Sequence, residues 1–350
     1  MSKTIGVGLA GWGMAGRVFH APLVFATPGL ELAAVVERTG DTARRRYPGV
    51  AIVKDAESLF RRDDVELAVI ATPNATHFEL ARAALLAGKH VVIDKPFTVS
   101  SGEARTLMEL AKSKRRVLTV FQNRRWDGDF LTVSALVRAK RLGDLKEFAS
   151  HFDRFRPELK PYAWRERPGP GAGLLYDLGP HLIDQALVLF GTPRSLSADI
   201  GTERVNCATD DRFEIALSYD ALTVRLGAGM LAREPRPRFF LRGDAGSFVK
   251  YGLDPQEEAL RRGETPPDKD WGAEGPGRWG TVEAADGGGV RRETVETIPG
   301  RYQEFYANVR AAIVDGVSVS VEPEQALETI RLIELAFESG RTGKNVEVHA

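Results

Sequence analysis

The stretch Ile5-Gly-Val-Gly-Leu-Ala-Gly11-Trp-Gly13-Met-Ala-Gly16 decides the fold. Residues 5–10 are short and apolar, the pattern of a buried strand. Gly11, Gly13 and Gly16 follow at the spacing GxGxxG. Glycine permits a tight turn at the first position and close approach of a pyrophosphate at the second. At the third it lets helix pack closely on strand. Alone the motif is weak in a chain with 35 glycines among 350 residues. Context strengthens it, because a helical stretch opens near Met14 and Glu37 ends the next apolar run, Leu32–Val36. Glu37 stands about 20 residues past the last glycine, where a carboxylate would hydrogen-bond adenosine ribose. Gly11, Trp12, Gly13, Met14, Ala15 and Gly16 thus read as a phosphate cradle at a helix N-terminus. Glu37 favours NAD. Arg38 beside it could stack on adenine or bind a 2′-phosphate, which keeps NADP open.

Outward from this motif, strand and helix alternate. The helix after the glycines carries Val18, Phe19 and Leu23, and Pro22 should bend or end it. Apolar runs at 51–53, 67–71, 91–94 and 117–121 read as strands. A helical pattern over 76–87 stops at Gly88, and Ser100 with Glu103 forms a capping box for a helix to about Ser113. This alternation predicts an α/β domain over residues 1–122, a Rossmann-type doubly wound parallel sheet.

Beyond Gln122 the pattern changes. A helix at 130–141, a strand at 145–155 and an apolar helix at 180–190 precede five consecutive β segments. These lie at 195–200, 212–218, 222–230, 236–242 and 246–250. They predict a second, α+β domain over 123–350 with a large open antiparallel sheet. Residues 263–289 read as an exposed loop with a hairpin tip at Gly287–Gly289, and helices at 301–315 and 323–339 finish the chain. Uncovered β-branched and aromatic side chains on that sheet would form an apolar patch, so a homodimer or homotetramer packed through it is expected.

Composition narrows the function. Forty-eight basic residues balance 48 acidic ones, so no global field recruits nucleic acid or a membrane surface. Cys207 is the only cysteine, which excludes an intrachain disulfide and a cysteine-held metal cluster. No apolar run reaches membrane-spanning length, and a cytoplasmic location is the default. His20, His77, His90, His151 and His349 show no ligand spacing, so no metal is expected.

Sheets of this kind bind ligands beyond the carboxyl ends of their strands. Thr72, Pro73, Asn74 and His77 lie after one strand, Lys95 after another, and Asn123 after the last, all candidate cofactor contacts. An ammonium at Lys95 could stabilise a developing alkoxide. Tyr176-Asp177-Leu-Gly-Pro180-His181 is the second constellation. Pro180 suits a first helical turn, which would put His181 beside a positive helix end that keeps it neutral and able to accept a proton. Asp177 could orient that ring, grip a substrate hydroxyl or merely cap the helix. Arg124, Arg154 and Arg165 with Trp164 read as a polar pocket wall, since Asp127, Asp129 and Asp153 among them spoil a basic groove.

With these residues located, the chain resembles the Gfo/Idh/MocA oxidoreductase family. Gly11–Gly16, Thr72-Pro-Asn74, Ala87-Gly-Lys-His-Val-Val-Ile-Asp-Lys-Pro96 and Asp177-Leu-Gly-Pro-His181 carry the resemblance, which spans nearly the whole length. Phe19-His-Ala-Pro-Leu23, Asn123-Arg-Arg-Trp-Asp127, Phe152-Asp-Arg-Phe-Arg-Pro157 and residues 248–257 are similar to the subgroup containing NADP-dependent scyllo-inositol dehydrogenases. The resemblance implies a catalytic role for Lys95, proton transfer by His181 with Asp177 beside it, and a polyol contact at Asp184. It also implies an NAD(P)-dependent dehydrogenase acting on a small polyol or sugar. Two departures stand out: Asp94 precedes the Lys-Pro pair where relatives usually carry another acidic residue, and Glu37-Arg38 differs from the NADP-preferring pattern. A non-catalytic dinucleotide-binding regulator, or an NAD-using lyase or glycosidase without net redox change, remains the alternative.

Overall fold

The computed structural model describes residues 3–160, 163–266, 271–286 and 289–349. It resolves into two compact units: residues 1–123, 256–271 and 301–327 form one, and residues 124–255, 272–300 and 328–350 the other. The sequence reading closes the first domain at Gln122; the structure adds two later segments to it. They join because their apolar faces complete its core. Phe121, for instance, packs edge-on against Phe305 with ring centroids 5.0 Å apart.

In the first unit, β1 (Ile5–Ala10), β2 (Leu30–Val36), β3 (Ala51–Val53), β4 (Leu67–Ile70), β5 (His90–Asp94) and β6 (Leu118–Phe121) form one sheet in the order β3-β2-β1-β4-β5-β6. Every pairing is parallel. The helices are α1 (Ala21–Ala26), α2 (Thr42–Arg46), α3 (Ala56–Phe60), α4 (His77–Leu86) and α5 (Ser101–Lys114). Because β4 is fully buried on both faces, it reads as an unbroken apolar run rather than an alternating one. Pro22 does not end its helix. A π-wound turn at Gly16–His20 leads straight into α1, with Ala21 N–H bonded to Gly16 O. The widened turn accommodates a residue that has no N–H to give to the preceding turn.

In the second unit the helices α6 (Gly128–Arg138) and α7 (Leu174–Phe190) accompany a sheet built from β7 (Leu145–Asp153), β8 (Ser195–Gly201), β9 (Arg212–Ser218), β10 (Thr223–Gly229), β11 (Phe239–Gly243), β12 (Gly246–Lys250), β13 (Gly280–Asp286), β14 (Gly289–Val295) and β15 (Val346–Glu347). Its order is β14-β13-β12-β11-β7-β10-β9-β8-β15. All pairs are antiparallel except β7 with β10, so the sheet is mixed. The remaining helices are α8 (Gln256–Arg262), α9 (Gln303–Val314) and α10 (Pro323–Thr342). The last part of the expected 263–289 loop, Gly280–Asp286, is strand β13, whose Val282 is buried. A glycine and few apolar side chains disguised it, although β13 is an inner strand paired with both β12 and β14. Residues 287 and 288 of the anticipated hairpin tip lie outside the described residues.

The expected apolar patch is not what this sheet presents. One face, carrying Phe148, Phe213, Ile215, Val224 and Leu226, is buried. The alternate residues form ion pairs instead: Arg225–Glu147 at 3.6 Å, Arg242–Glu147 at 3.2 Å and Arg212–Asp199 at 3.0 Å. Arg236 pairs with Asp153 at 2.7 Å and also with Glu214. Charged side chains fall every second residue because successive side chains of a strand point to opposite faces. Among the described residues, no helix is long and apolar enough to cross a membrane.

Candidate active site

The glycine turn has the form a dinucleotide requires. Gly11 has φ +118°, and a Cβ there would lie 2.4 Å from Ala71 O. A Cβ on Gly16 would lie 2.0 Å from Gly11 O, so the helix presses on the turn as closely as backbone allows. Gly13 differs, since a Cβ there would meet no atom within 4 Å. An open, side-chain-free position between two packed glycines fits a pyrophosphate lying against the backbone. Trp12 turns away and donates from Nε1 to Thr42 Oγ1 at 2.7 Å.

Glu37 is committed elsewhere than expected. It is 6% exposed, and its carboxylate accepts from Thr42 N at 3.0 Å, Thr42 Oγ1 at 2.7 Å and Ala43 N at 3.0 Å. It therefore caps α2 from five residues upstream. Burial alone would raise its pKa, but the hydrogen bonds from Ala43 and Thr42 and the charge of Lys54 bring it below the usual range. Arg38 next to it is exposed. The ribose contact read from Glu37 would have to share an anion already holding three donors.

At the ends of β4 and β5, the described side chains brace one another. His77 was expected at the cofactor but is wholly buried inside the protein. Its Nδ1 lies 2.8 Å from Pro96 O and its Nε2 3.0 Å from Thr72 O, so the ring joins the loop after β4 to the Lys95-Pro96 turn. Asn74 and Asn123 are each 4% exposed, and Pro73 is exposed. The Lys95–Pro96 peptide is cis. Asp94 Oδ1 accepts from Lys95 N at 2.9 Å. Burial would raise Asp94's pKa, but His20, Lys95 and His77 around it bring it below the usual range.

In the second unit, α7 begins at Leu174, six residues before the expected start. Leu174 N–H donates to Asp210 O at 2.9 Å and Leu175 N–H to Asp210 Oδ2 at 2.6 Å, so a residue from a distant loop caps the helix. Pro180 is inside the helix, and His181 lies in its interior rather than in the first turn. The helix-end argument for a neutral His181 is thereby overturned, because the dipole effect fades within the first turn. Asp177 occupies that first turn, four residues before His181 and on the same face. Its carboxylate meets Arg165 Nε at 3.1 Å and Arg154 Nη1 at 3.8 Å. His181 is 4% exposed, with the Phe152 ring 6.4 Å away. That ring has the guanidiniums of Arg124 at 4.8 Å and Arg238 at 4.1 Å over it.

Asp184 is 2% exposed and gripped by Arg125 through bonds of 2.8 and 2.6 Å, an internal wall more than an open polyol contact. Arg165 stacks on Trp164 at 4.4 Å, and Arg124 pairs with Asp127 at 3.2 Å. The arginines read as a pocket wall are thus tied to internal carboxylates. Among the described residues, no group of three or more His, Cys, Asp or Glu side chains could hold a metal ion. Sequence reasoning passed over His20, Thr42 and Asp210. His20 sat in a quoted motif, but Tyr306 is 286 residues away and Asp94 ends strand β5.

Family comparison completes this picture. A model of the Gfo/Idh/MocA oxidoreductases, NAD-binding Rossmann fold, matches residues 5–122, and one of their C-terminal alpha/beta domain matches 134–348. The chain belongs to the Gfo/Idh/MocA oxidoreductase family. It is 47% identical over 341 residues to the uncharacterized oxidoreductase YdgJ of Escherichia coli, covering 97% of this chain and 98% of that one. It is 36% identical over 343 residues to IolW of Bacillus subtilis, described as a scyllo-inositol 2-dehydrogenase (NADP(+)), covering 98% and 96%. The solved structure of yvaA from B. subtilis matches with TM-score 0.96 at 36% identity, covering 100% of this chain and 99% of that one. Gfo/Idh/MocA membership makes this an NAD(P)-binding oxidoreductase with a Rossmann domain and a second, mixed-sheet α/β domain.

Proposed function

We propose that the chain is a dehydrogenase moving hydride between a nicotinamide and a ring carbon of a polyol or sugar, with an inositol-like substrate. The observation that carries this reading is a phosphate cradle open at Gly13 in a chain that also holds Lys95 at a strand end and Asp177 with His181 on one helix face. A bound nicotinamide dinucleotide supplies the hydride acceptor or donor. Gly11–Gly16 would hold its pyrophosphate, and Thr72, Pro73, Asn74 and Asn123 its nicotinamide half. His181 takes the proton of the hydroxyl being oxidised, imidazole being the side chain whose ordinary titration range spans neutral pH. Lys95 stabilises the developing alkoxide without accepting the proton. Asp177, steadied by Arg154 and Arg165, holds a substrate hydroxyl, with Arg124 and Trp164 shaping the wall and Asp184 supporting it through Arg125.

For the cofactor, we infer tighter NAD(H) than NADP(H), because Glu37 stays anionic where a 2′-phosphate would come. Exposed Arg38 and the NADP(+) named for IolW favour the opposite order. Fluorescence titration of both cofactors decides between them. The assembly inferred is a homodimer or homotetramer through the charged sheet face, which light scattering at low and high salt tests.

A panel of inositols, aldoses and lactones with NAD and NADP, followed at the nicotinamide absorbance, tests the reaction. Net reduction with a ring polyol supports the dehydrogenase. Sugar conversion without net cofactor turnover would instead favour the lyase or glycosidase, and binding without any conversion the regulator.

A further inference from the structure

The motif Phe19-His20-Ala-Pro22 has no part in the reaction described so far, yet it feeds a polar side chain into the buried interior of the first unit. His20 is 0% exposed and ends the π-wound turn after the glycines. Its Nδ1 lies 2.7 Å from the hydroxyl of Tyr306 on α9, itself 0% exposed. Its Nε2 has no hydrogen-bond partner among the described residues and stands 3.7 Å from Asp94 Oδ1. The ring also lies against Phe121, with centroids 4.4 Å apart.

The proton on Nε2 can be placed by elimination. A bare Nε2 would turn its lone pair toward a buried carboxylate 3.7 Å away, and two acceptors facing each other are unfavourable. Nε2 therefore carries the proton. In the neutral ring, Nδ1 is then the acceptor and the Tyr306 hydroxyl donates to it. Tyr306 keeps its proton for that purpose, its pKa being held high by burial and by the charge of Asp94. The result is a directed chain: Tyr306 sets the ring, the ring faces Asp94, and Asp94 accepts from the backbone N–H of Lys95 at 2.9 Å.

We propose that His20 is a positioning residue for Lys95, holding the Asp94 carboxylate that in turn anchors the Lys95 peptide. Ring orientation fixed by a partner on the far nitrogen is how imidazoles are aimed elsewhere in proteins. Asp94 has a shorter reach than a glutamate at the same place, and the imidazole supplies a polar group on its inner side. The importance of Lys95 to turnover rests on the function proposed above; the anchoring of Lys95 by His20 does not.

Three readouts separate those claims. Nitrogen-15 NMR of the histidines reports protonation directly. His20 of the wild-type protein should show a protonated Nε2, and Tyr306→Phe, which removes only the hydroxyl, should perturb its Nδ1 signal. A bare Nε2 in the wild type would overturn the proposal. Trace acylation with acetic anhydride, read by mass spectrometry, then reports the reactivity of each lysine without any substrate. In His20→Leu, the acylation rate of Lys95 should change at least about threefold, because the carboxylate that holds its backbone N–H is displaced. Lys54 and Lys89 serve as internal references and should not change. His20→Gln, whose amide nitrogen reaches about where Nε2 does, should restore the wild-type acylation rate, whereas His20→Asn should not. Equal Lys95 reactivity in wild type and His20→Leu, or equal behaviour of the Gln, Asn and Leu variants, would show that the ring merely fills space. With a polyol from the panel that turns over, His20→Leu should lose about 10²-fold in kcat with little change in NADH affinity, the cost of misplacing a reacting group by about 1 Å. Normal Lys95 anchoring with no turnover of any polyol would spare this proposal and sink the dehydrogenase reading.

Discussion

Glu37 offers a prediction in which fold and cofactor readings diverge. Replacing it with Ala removes the acceptor of two backbone N–H groups, Thr42 and Ala43, and of the Thr42 hydroxyl. Thr42 is exposed and its N–H can turn to water, but Ala43 is 0% exposed and its N–H cannot easily do so. A helix cap is worth about 0.5–2 kcal/mol, and a hydrogen bond to a charged group about 1.5–3 kcal/mol. Since these contributions overlap, the expected loss in Glu37→Ala is about 2–3 kcal/mol. For a unit of this size that lowers Tm by roughly 5–10 °C. Thr42→Val keeps both backbone bonds and should cost only about 1 kcal/mol. Urea unfolding without cofactor, followed by tryptophan fluorescence, measures both variants. If Glu37→Ala stays within about 0.5 kcal/mol of wild-type stability while its NADH affinity collapses, the capping argument is refuted. The carboxylate would then be a ribose ligand after all.

Other expectations follow from the same geometry. Gly13→Ala should fold as wild type yet bind NAD(H) at least about tenfold more weakly, whereas Gly16→Ala should lower stability itself; thermal unfolding beside NADH titration separates them. Burial, with the charge of Arg116, lowers the pKa of His90 from 6.5 to about 4, and Val117 N–H donates to its Nδ1 at 3.0 Å. The folded state thus binds this proton less readily than the unfolded chain, so its contribution is intact above 6.5 and declines as pH falls from 6.5 toward 4. Partial exposure limits that loss to about 1–2 kcal/mol, and His90→Gln should flatten the dependence in urea unfolding across that range. Lys250 and Glu274, both with fully buried side chains, pair at 2.7 Å. Lys250→Met should cost about 3–5 kcal/mol by stranding the carboxylate, and the double variant with Glu274→Leu should recover much of it.

The strands around the glycine turn were legible because burial on both faces leaves unbroken apolar runs, as in Leu67–Ile70. The capping box was equally local: Ser100 Oγ accepts from Glu103 N at 3.3 Å, and Glu103 reaches back to Val99 N at 3.2 Å. The start of α7 was not legible, because its cap is Asp210, far along the chain, while Pro180 gave a plausible false start. Strand β13 hid among glycines and charges, since its partner β14 is largely exposed and Val282 is the buried apolar side chain that marks it. The site divides the same way. Residue types at strand ends and in α7 pointed to Lys95, Asp177 and His181. Which oxygens of Glu37, Asp184 and Asp94 are already occupied depends on three-dimensional partners that no spacing reveals.

The central claim, hydride transfer governed by Lys95 and His181, is tested most directly by single-turnover transfer from C4-deuterated NADH or NADPH to the keto form of a polyol that the panel identifies. The account predicts deuterium on the new carbinol carbon in the wild type. Lys95→Met and His181→Asn should slow that transfer by about 10²–10⁴ with cofactor affinity nearly unchanged. Transfer at the wild-type rate in both variants, or product free of deuterium, would contradict it.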